Sequence, residues 1–166
     1  MASTSKSILS RLSSAIERAS WLGPLLARLT LAAVFIPSGW GKLHSLEKIT
    51  AFFLELRIPA PHLNALVASS IEFFGGVLLL IGFGTRVVAL PLAFTMLVAI
   101  LTARRAEIDG VTTLFGFIEF TYLAMLVWLA LAGPGSASLD RLVGWVLRRR
   151  TNKTVLQPRE TMVGSR

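Results

Sequence analysis

Residues 63–83 read LNALVASSIEFFGGVLLLIGF, an apolar run whose one ionisable residue is Glu72. Crossing the hydrocarbon core of a bilayer takes roughly 20 helical residues, and this run is long enough. Small residues gather around the acid: Ala68, Ser69, Ser70, Gly75 and Gly76, with Gly82 and Gly84 at the far end. Lipid tails are as apolar as leucine, so membrane helices associate through close backbone approach. The clustering therefore predicts a helix packed tightly against a neighbour around Glu72. A cofactor-binding glycine loop is not expected, because no strand precedes it.

Three further stretches have the same character: Trp21 to Gly41, Val87 to Ala103 and Val111 to Ala132. They are rich in Leu and Ala and lack the period-two alternation of a membrane barrel. The expected fold is all-α, an integral membrane bundle of four transmembrane helices with amphipathic interfacial helices. Composition agrees: the 166 residues are 54% hydrophobic, with a mean hydropathy of +0.67. The net charge of +8 sits mainly outside the apolar runs, so its expected partner is anionic lipid rather than nucleic acid. There is no cysteine, which excludes disulfides, iron–sulfur ligation and dithiol chemistry by this chain.

The segments flanking the spans read as helices lying on the membrane. Ile8, Leu9, Leu12 and Ile16 share a helical face, and Leu46, Ile49, Phe52, Phe53 and Leu56 repeat the pattern until Pro59 and Pro61 stop it. After Gly133-Pro134-Gly135, Ser138 is a candidate N-cap for a helix bearing Leu139, Leu142, Val143 and Val146, ahead of Arg148-Arg149-Arg150. The expected organisation is an amphipathic segment over 1–20, a four-helix membrane domain over 21–140 and a basic helix with a polar tail over 141–166. An organellar transit peptide or a cleaved secretory signal fits the amino end less well. Lys and Arg concentrate on the side of both termini. Only Lys42, Lys48, Arg57, Arg104 and Arg105 lie opposite, which predicts cytoplasmic termini.

The ionisable residues inside the spans are Arg28, Glu72 and Glu119. A charge at bilayer depth costs about 3 kcal/mol on insertion scales, so such residues face the bundle interior and find partners. The expectation is one shared polar site, with the Arg28 guanidinium reaching a carboxylate and Lys42 as a further partner. Two readings stand side by side. Arg28 with one of the acids is a structural ion pair that fixes register, or Glu72 and Glu119, facing few cations, handle protons beside a quinone held by Arg28, Lys42 and Glu72. Pro37 is expected to kink the end of the first span, as a ligand mouth or as helix termination. His44 and His62, even with Glu47, lack a third ligand of definite spacing, so no metal site is expected. Belt and packing roles are expected for Trp21, Trp40, Trp128 and Trp145.

The ordered combination of Arg28, then Ile36-Pro37-Ser38-Gly39-Trp40-Gly41-Lys42-Leu43, then Glu72-Phe73-Phe74-Gly75-Gly76 running to Thr85-Arg86, then an acidic residue in the last span and Gly133-Pro134-Gly135 before Ser138-Leu139-Asp140, resembles the DoxX family of bacterial inner-membrane proteins. The resemblance runs from about Arg28 to Asp140. It implies a four-helix membrane fold in the bacterial inner membrane. For some relatives it also implies a small subunit of a thiosulfate to quinone oxidoreductase, or of an oxidoreductase complex tied to redox stress. The matching motif positions are Arg28, Gly39, Lys42, Glu72, Gly76, Arg86, Ser138 and Asp140. Three functions follow as expectations: a quinone-linked oxidoreductase subunit working with a partner that supplies electrons; a non-catalytic scaffold or anchor for a partner protein; and a small carrier or lipid-binding protein, which implies a homo-oligomer. No internal repeat of the transporter kind supports the last.

Overall fold

The computed structural model describes residues 19–141, and among them every regular element is helical. In chain order these are α1 (Leu22–His44), α2 (Leu46–Glu55), α3 (Pro61–Ile81), α4 (Thr85–Thr102), a 3-10 turn (Arg105–Glu107), α5 (Val111–Gly116) and α6 (Ile118–Ala132). The amphipathic segment expected over 1–20 and the basic helix and tail expected over 141–166 lie almost wholly outside the described residues. What is described of the second is its start: residues 139–141 are helical, and Ser138 Oγ accepts from the Arg141 amide at 3.4 Å. That is the geometry of the expected N-cap.

α1, α3 and α4 are each long and apolar enough to cross a membrane, and α6 is a shorter apolar helix. The ends are set by ordinary capping chemistry. Pro61 opens α3 because its fixed φ suits a first helical position and its missing amide would have no intrahelical partner there. Gly82 closes α3 at φ +70, with its amide donating to Leu78 O and Leu79 O, a left-handed cap that glycine adopts without strain. Pro37 does not terminate α1. The helix runs through it to His44, and the cost is the bond that a residue-37 amide would have made to Ala33 O.

The last span departs from expectation. Instead of one helix over Val111 to Ala132, the backbone is extended at Phe117 (φ −74, ψ 135) and the span divides into α5 and α6. Gly116 precedes the break and is a poor helix former. The extended residue brings the Phe117 ring to 5.6 Å from the Arg104 guanidinium and lets Phe115 meet Phe120 edge-on at 4.5 Å.

The helices pack in two main pairs, α1 with α3 and α4 with α6, joined through α3–α4 and α1–α6 contacts, while α2 lies against α3. Leu31, Phe35, Leu79, Leu92, Leu126 and Leu129 form the sealed centre. Most remaining apolar surface faces outward, as a helix that is apolar all round requires in lipid. Burial therefore stabilises here through dispersion between close atoms, each pair worth about 0.1–0.2 kcal/mol. The closest approach is the α1–α3 crossing. A Cβ on Gly39 would run into the Phe73 main chain, and one on Gly76 would come within 3.0 Å of Ile36 N. These two glycines let α1 and α3 touch just beyond Glu72, on its Gly82 side.

Candidate functional site

The structure does not gather Arg28, Glu72 and Glu119 into one site. It distributes them over three, because each finds nearer partners than the other two.

Arg28 is 2% exposed and makes no ion pair among the described residues. Its Nε donates to Leu79 O at 2.8 Å and Nη2 to Leu80 O at 3.0 Å, at the end of α3. Its Nη1 donates to Pro134 O at 3.0 Å and Ala137 O at 2.7 Å, in the segment that follows α6. The carboxyl end of a helix leaves carbonyls unpaired and carries partial negative charge. A planar guanidinium with a fork of donors is matched to two such groups at once. Gly82 lies under the fork, where a Cβ would collide with the guanidinium. Asp140 completes this end: its Oδ1 accepts from the Gly84 amide at 2.8 Å and its Oδ2 from the Thr85 amide at 3.3 Å, capping α4. Arg28 and Asp140 thus clamp the α3–α4 turn from both sides. The expected Arg28–carboxylate pairing inside the bundle is not formed, since Leu79 is seven residues along α3 from Glu72, roughly 10 Å of helix.

Glu72 pairs instead with Lys42. The Lys42 ammonium donates to Oε1 at 2.6 Å and to Oε2 at 2.7 Å, and Ser38 Oγ donates to Oε2 at 2.9 Å. Ser38 and Lys42 are four residues apart on α1 and so share a face. The Gly39–Phe73 contact presses that face onto α3. Glu72 is 3% exposed, whereas the Lys42 side chain keeps 35% of its surface open. Expectation and structure agree on Lys42 as a partner. Ser38 was missed, and the i, i+4 spacing to Lys42 was the available signal.

Glu119 lies in the first turn of α6, where a carboxylate is favoured by the helix dipole. It accepts from Arg104 Nε at 3.1 Å, and its Oε2 is buried without a hydrogen-bond partner among the described residues. Arg104 also donates to Glu107, and its pKa is raised by the hydrogen bond to Glu119 and then by that to Glu107. Arg104 was counted in the sequence only as a loop cation. Of the interfacial histidines, His44 has its Nδ1 2.9 Å from Trp40 O and its ring against the Trp40 ring.

Beside the Lys42–Glu72 pair is a cavity of about 400 Å³, bounded by α2, α3, α4 and the 58–59 turn, with Lys42 and Glu72 in its wall. Drug-sized ligands occupy pockets of ≈ 300–1,000 Å³. Several hydroxyls in its wall are already committed: Ser69 donates to Ala65 O, Thr95 to Leu92 O and Thr102 to Val98 O. The wall therefore behaves as apolar, and its strong polar pole is Lys42–Glu72. An ammonium has three donors. With both Glu72 oxygens engaged, a further N–H remains for a ligand acceptor.

The DoxX family model matches residues 23–105, half of the chain. The chain is 34% identical over 123 residues to "Inner membrane protein YqjF" of Escherichia coli (strain K12), covering 74% of this chain and 92% of that protein. It is 33% identical over 124 residues to "Putative oxidoreductase CatD" of Bacillus subtilis (strain 168), covering 74% and 87%. It is 29% identical over 122 residues to "Inner membrane protein YphA" of Escherichia coli (strain K12), covering 70% and 87%. No solved structure matches the chain significantly. The region matched by the family takes in Arg28, the α1–α3 crossing and the Lys42–Glu72 pair, and the described residues form an apolar helical bundle: this chain is a multi-pass membrane protein of the DoxX family.

Proposed function

We propose that the chain is a membrane subunit of an oxidoreductase complex and that the cavity beside Lys42 and Glu72 receives the head of a quinone. The observation that carries the reading is the Lys42–Glu72 ion pair in the largely apolar wall of the cavity. A quinone head fits this donor set: Lys42 has a donor to spare for a carbonyl oxygen, and Glu72 offers a carboxylate beside it. When bound, the quinone supplies a two-electron, two-proton couple.

The residues of this chain supply binding and proton handling. Lys42 orients the carbonyl and keeps Glu72 in register; Ser38 fixes Glu72 Oε2; the apolar walls exclude water. With no cysteine to ligate an iron–sulfur cluster, the electrons enter from a partner subunit. The oxidoreductase description of the Bacillus subtilis relative supports this assignment. The inner-membrane relatives and the apolar helices support a place in a bacterial inner membrane, and the distribution of Lys and Arg supports cytoplasmic termini. Glu119, paired with Arg104 and absent from the cavity wall, takes an architectural role in this proposal, as does Arg28.

Titrating the purified protein in nanodiscs with a decyl-tailed benzoquinone tests the reading. Lys42→Met removes a charge-assisted hydrogen bond, worth ≈ 1.5–3 kcal/mol, and should weaken binding about tenfold or more. Unchanged affinity in the folded variant would remove the pair from the site.

A further inference from the structure

α3 and α4 are joined by the short turn at 82–84 and touch where a Cβ on Gly75 would come within 3.0 Å of Leu92. Every cavity-lining residue the two helices contribute lies on the side of that contact away from the turn: on α3 those from Asn64 to Glu72, on α4 and its C-cap those from Phe94 to Ala103. The cavity is thus a wedge between α3 and α4, sealed at its narrow end by Leu92 and Gly75. Its wide end lies under the amphipathic helix α2, whose Phe52 and Phe53 line it.

The side wall of this wedge is thin. Val67 on α3 and Phe94 on α4 both line the cavity, and both are open on their outer faces, with 45% and 64% of their surface exposed. Val67 lies six residues into α3, roughly 9 Å along the helix, and Phe94 nine residues into α4, roughly 13 Å. Both are at hydrocarbon depth, so the medium outside them is acyl chain. They are the exposed residues among those that α3 and α4 contribute to the cavity wall. Lys42, near the end of α1 and paired with Glu72, keeps a third of its side chain open on another flank of the cavity.

We propose that the cavity is loaded sideways from the hydrocarbon layer, through the α3–α4 cleft between Val67 and Phe94, by a neutral amphiphile whose acceptor-bearing head meets Lys42 and whose apolar tail stays in the bilayer. This rests on the quinone reading for the identity of the head. It adds the class of the ligand, a tailed lipid rather than a water-soluble molecule, and the route of entry. A charged head does not suit the route, since it would cross the apolar wall unpaired at the cost that excludes lone charges from the membrane interior. A tail-less head is free to arrive by the open flank at Lys42.

The test compares two probes of matched head, a decyl-tailed benzoquinone and its tail-less 2,3-dimethoxy-5-methyl counterpart, by stopped-flow binding to the protein in nanodiscs. Val67→Trp narrows the cleft and Phe94→Ala widens it. Association of the tailed probe should slow by about tenfold in the first variant, as when binding must wait on a conformational change, and should quicken in the second. The tail-less probe should be affected much less than the tailed one in both variants, and thermal unfolding reports that both are folded. Equal effects on the two probes, or none on either, would overturn the sideways route while leaving the quinone reading standing. If neither probe bound the wild type, the quinone reading would fall and the route with it.

Discussion

The end and the middle of the α3 helix use buried charge in opposite ways. At the Gly82 end, Arg28 spends four hydrogen bonds on main-chain carbonyls and Asp140 spends two on main-chain amides. These partners cannot leave without undoing a helix terminus. Around Glu72 the partners are side chains, one of them partly open, and the ion pair borders a cavity. Charge bonded to main chain holds the bundle together. Charge bonded to side chains at the edge of a void has the freedom that binding requires. Both are motif positions of the family resemblance, so the motif mixes architecture with chemistry.

The sharpest way to break this comparison is to remove Arg28. Arg28→Ala strands carbonyls from two segments and should cost at least ~3–5 kcal/mol, the scale of a broken buried charge network. The yield of folded protein and its thermal unfolding report it. Arg28→Lys should not rescue, because one ammonium cannot span both carbonyl pairs. A stable Arg28→Ala protein would mean that the clamp is incidental.

Lys42→Met should be the next largest, below ~3–5 kcal/mol because a third of Lys42 is exposed. Adding Glu72→Leu should restore part of the loss while leaving ligand binding absent, which a double-mutant cycle reads directly. Gly39→Ala sets a methyl group against the Phe73 main chain. It should destabilise by about 1–3 kcal/mol through overpacking, and it should weaken quinone binding because Lys42 is levered away from Glu72. Glu119→Gln should be the smallest: a slight shift in unfolding temperature and no change in quinone affinity. A large loss of affinity there would return Glu119 to the functional site.

Much of the fold was legible because lipid imposes length and composition on a helix. Residues 63–83 announce a span, and Pro61 and Gly82 move its observed ends by only two residues. The break at Phe117 was not legible, because Val111 to Ala132 is apolar enough overall to read as one span and hydropathy does not register a single extended residue. The charges could be found but not paired. Nothing in the chain near Arg28 says that its partners are the carbonyls of Leu79, Leu80, Pro134 and Ala137, since a main-chain acceptor has no sequence signature. Lys42 and Glu72 could be matched because both carry side-chain charge and lie at the same depth on antiparallel helices.

The most direct test of the account is the small molecule that copurifies from native membranes, measured per folded protein in wild type and in Glu72→Gln. The substitution keeps the shape of the side chain and removes its charge, so the clamp and the α1–α3 crossing should survive and thermal unfolding should change little. Near-stoichiometric quinone in the wild type, lost in Glu72→Gln, is the predicted result. Quinone retained in the variant, or a phospholipid in place of quinone in both proteins, would contradict it.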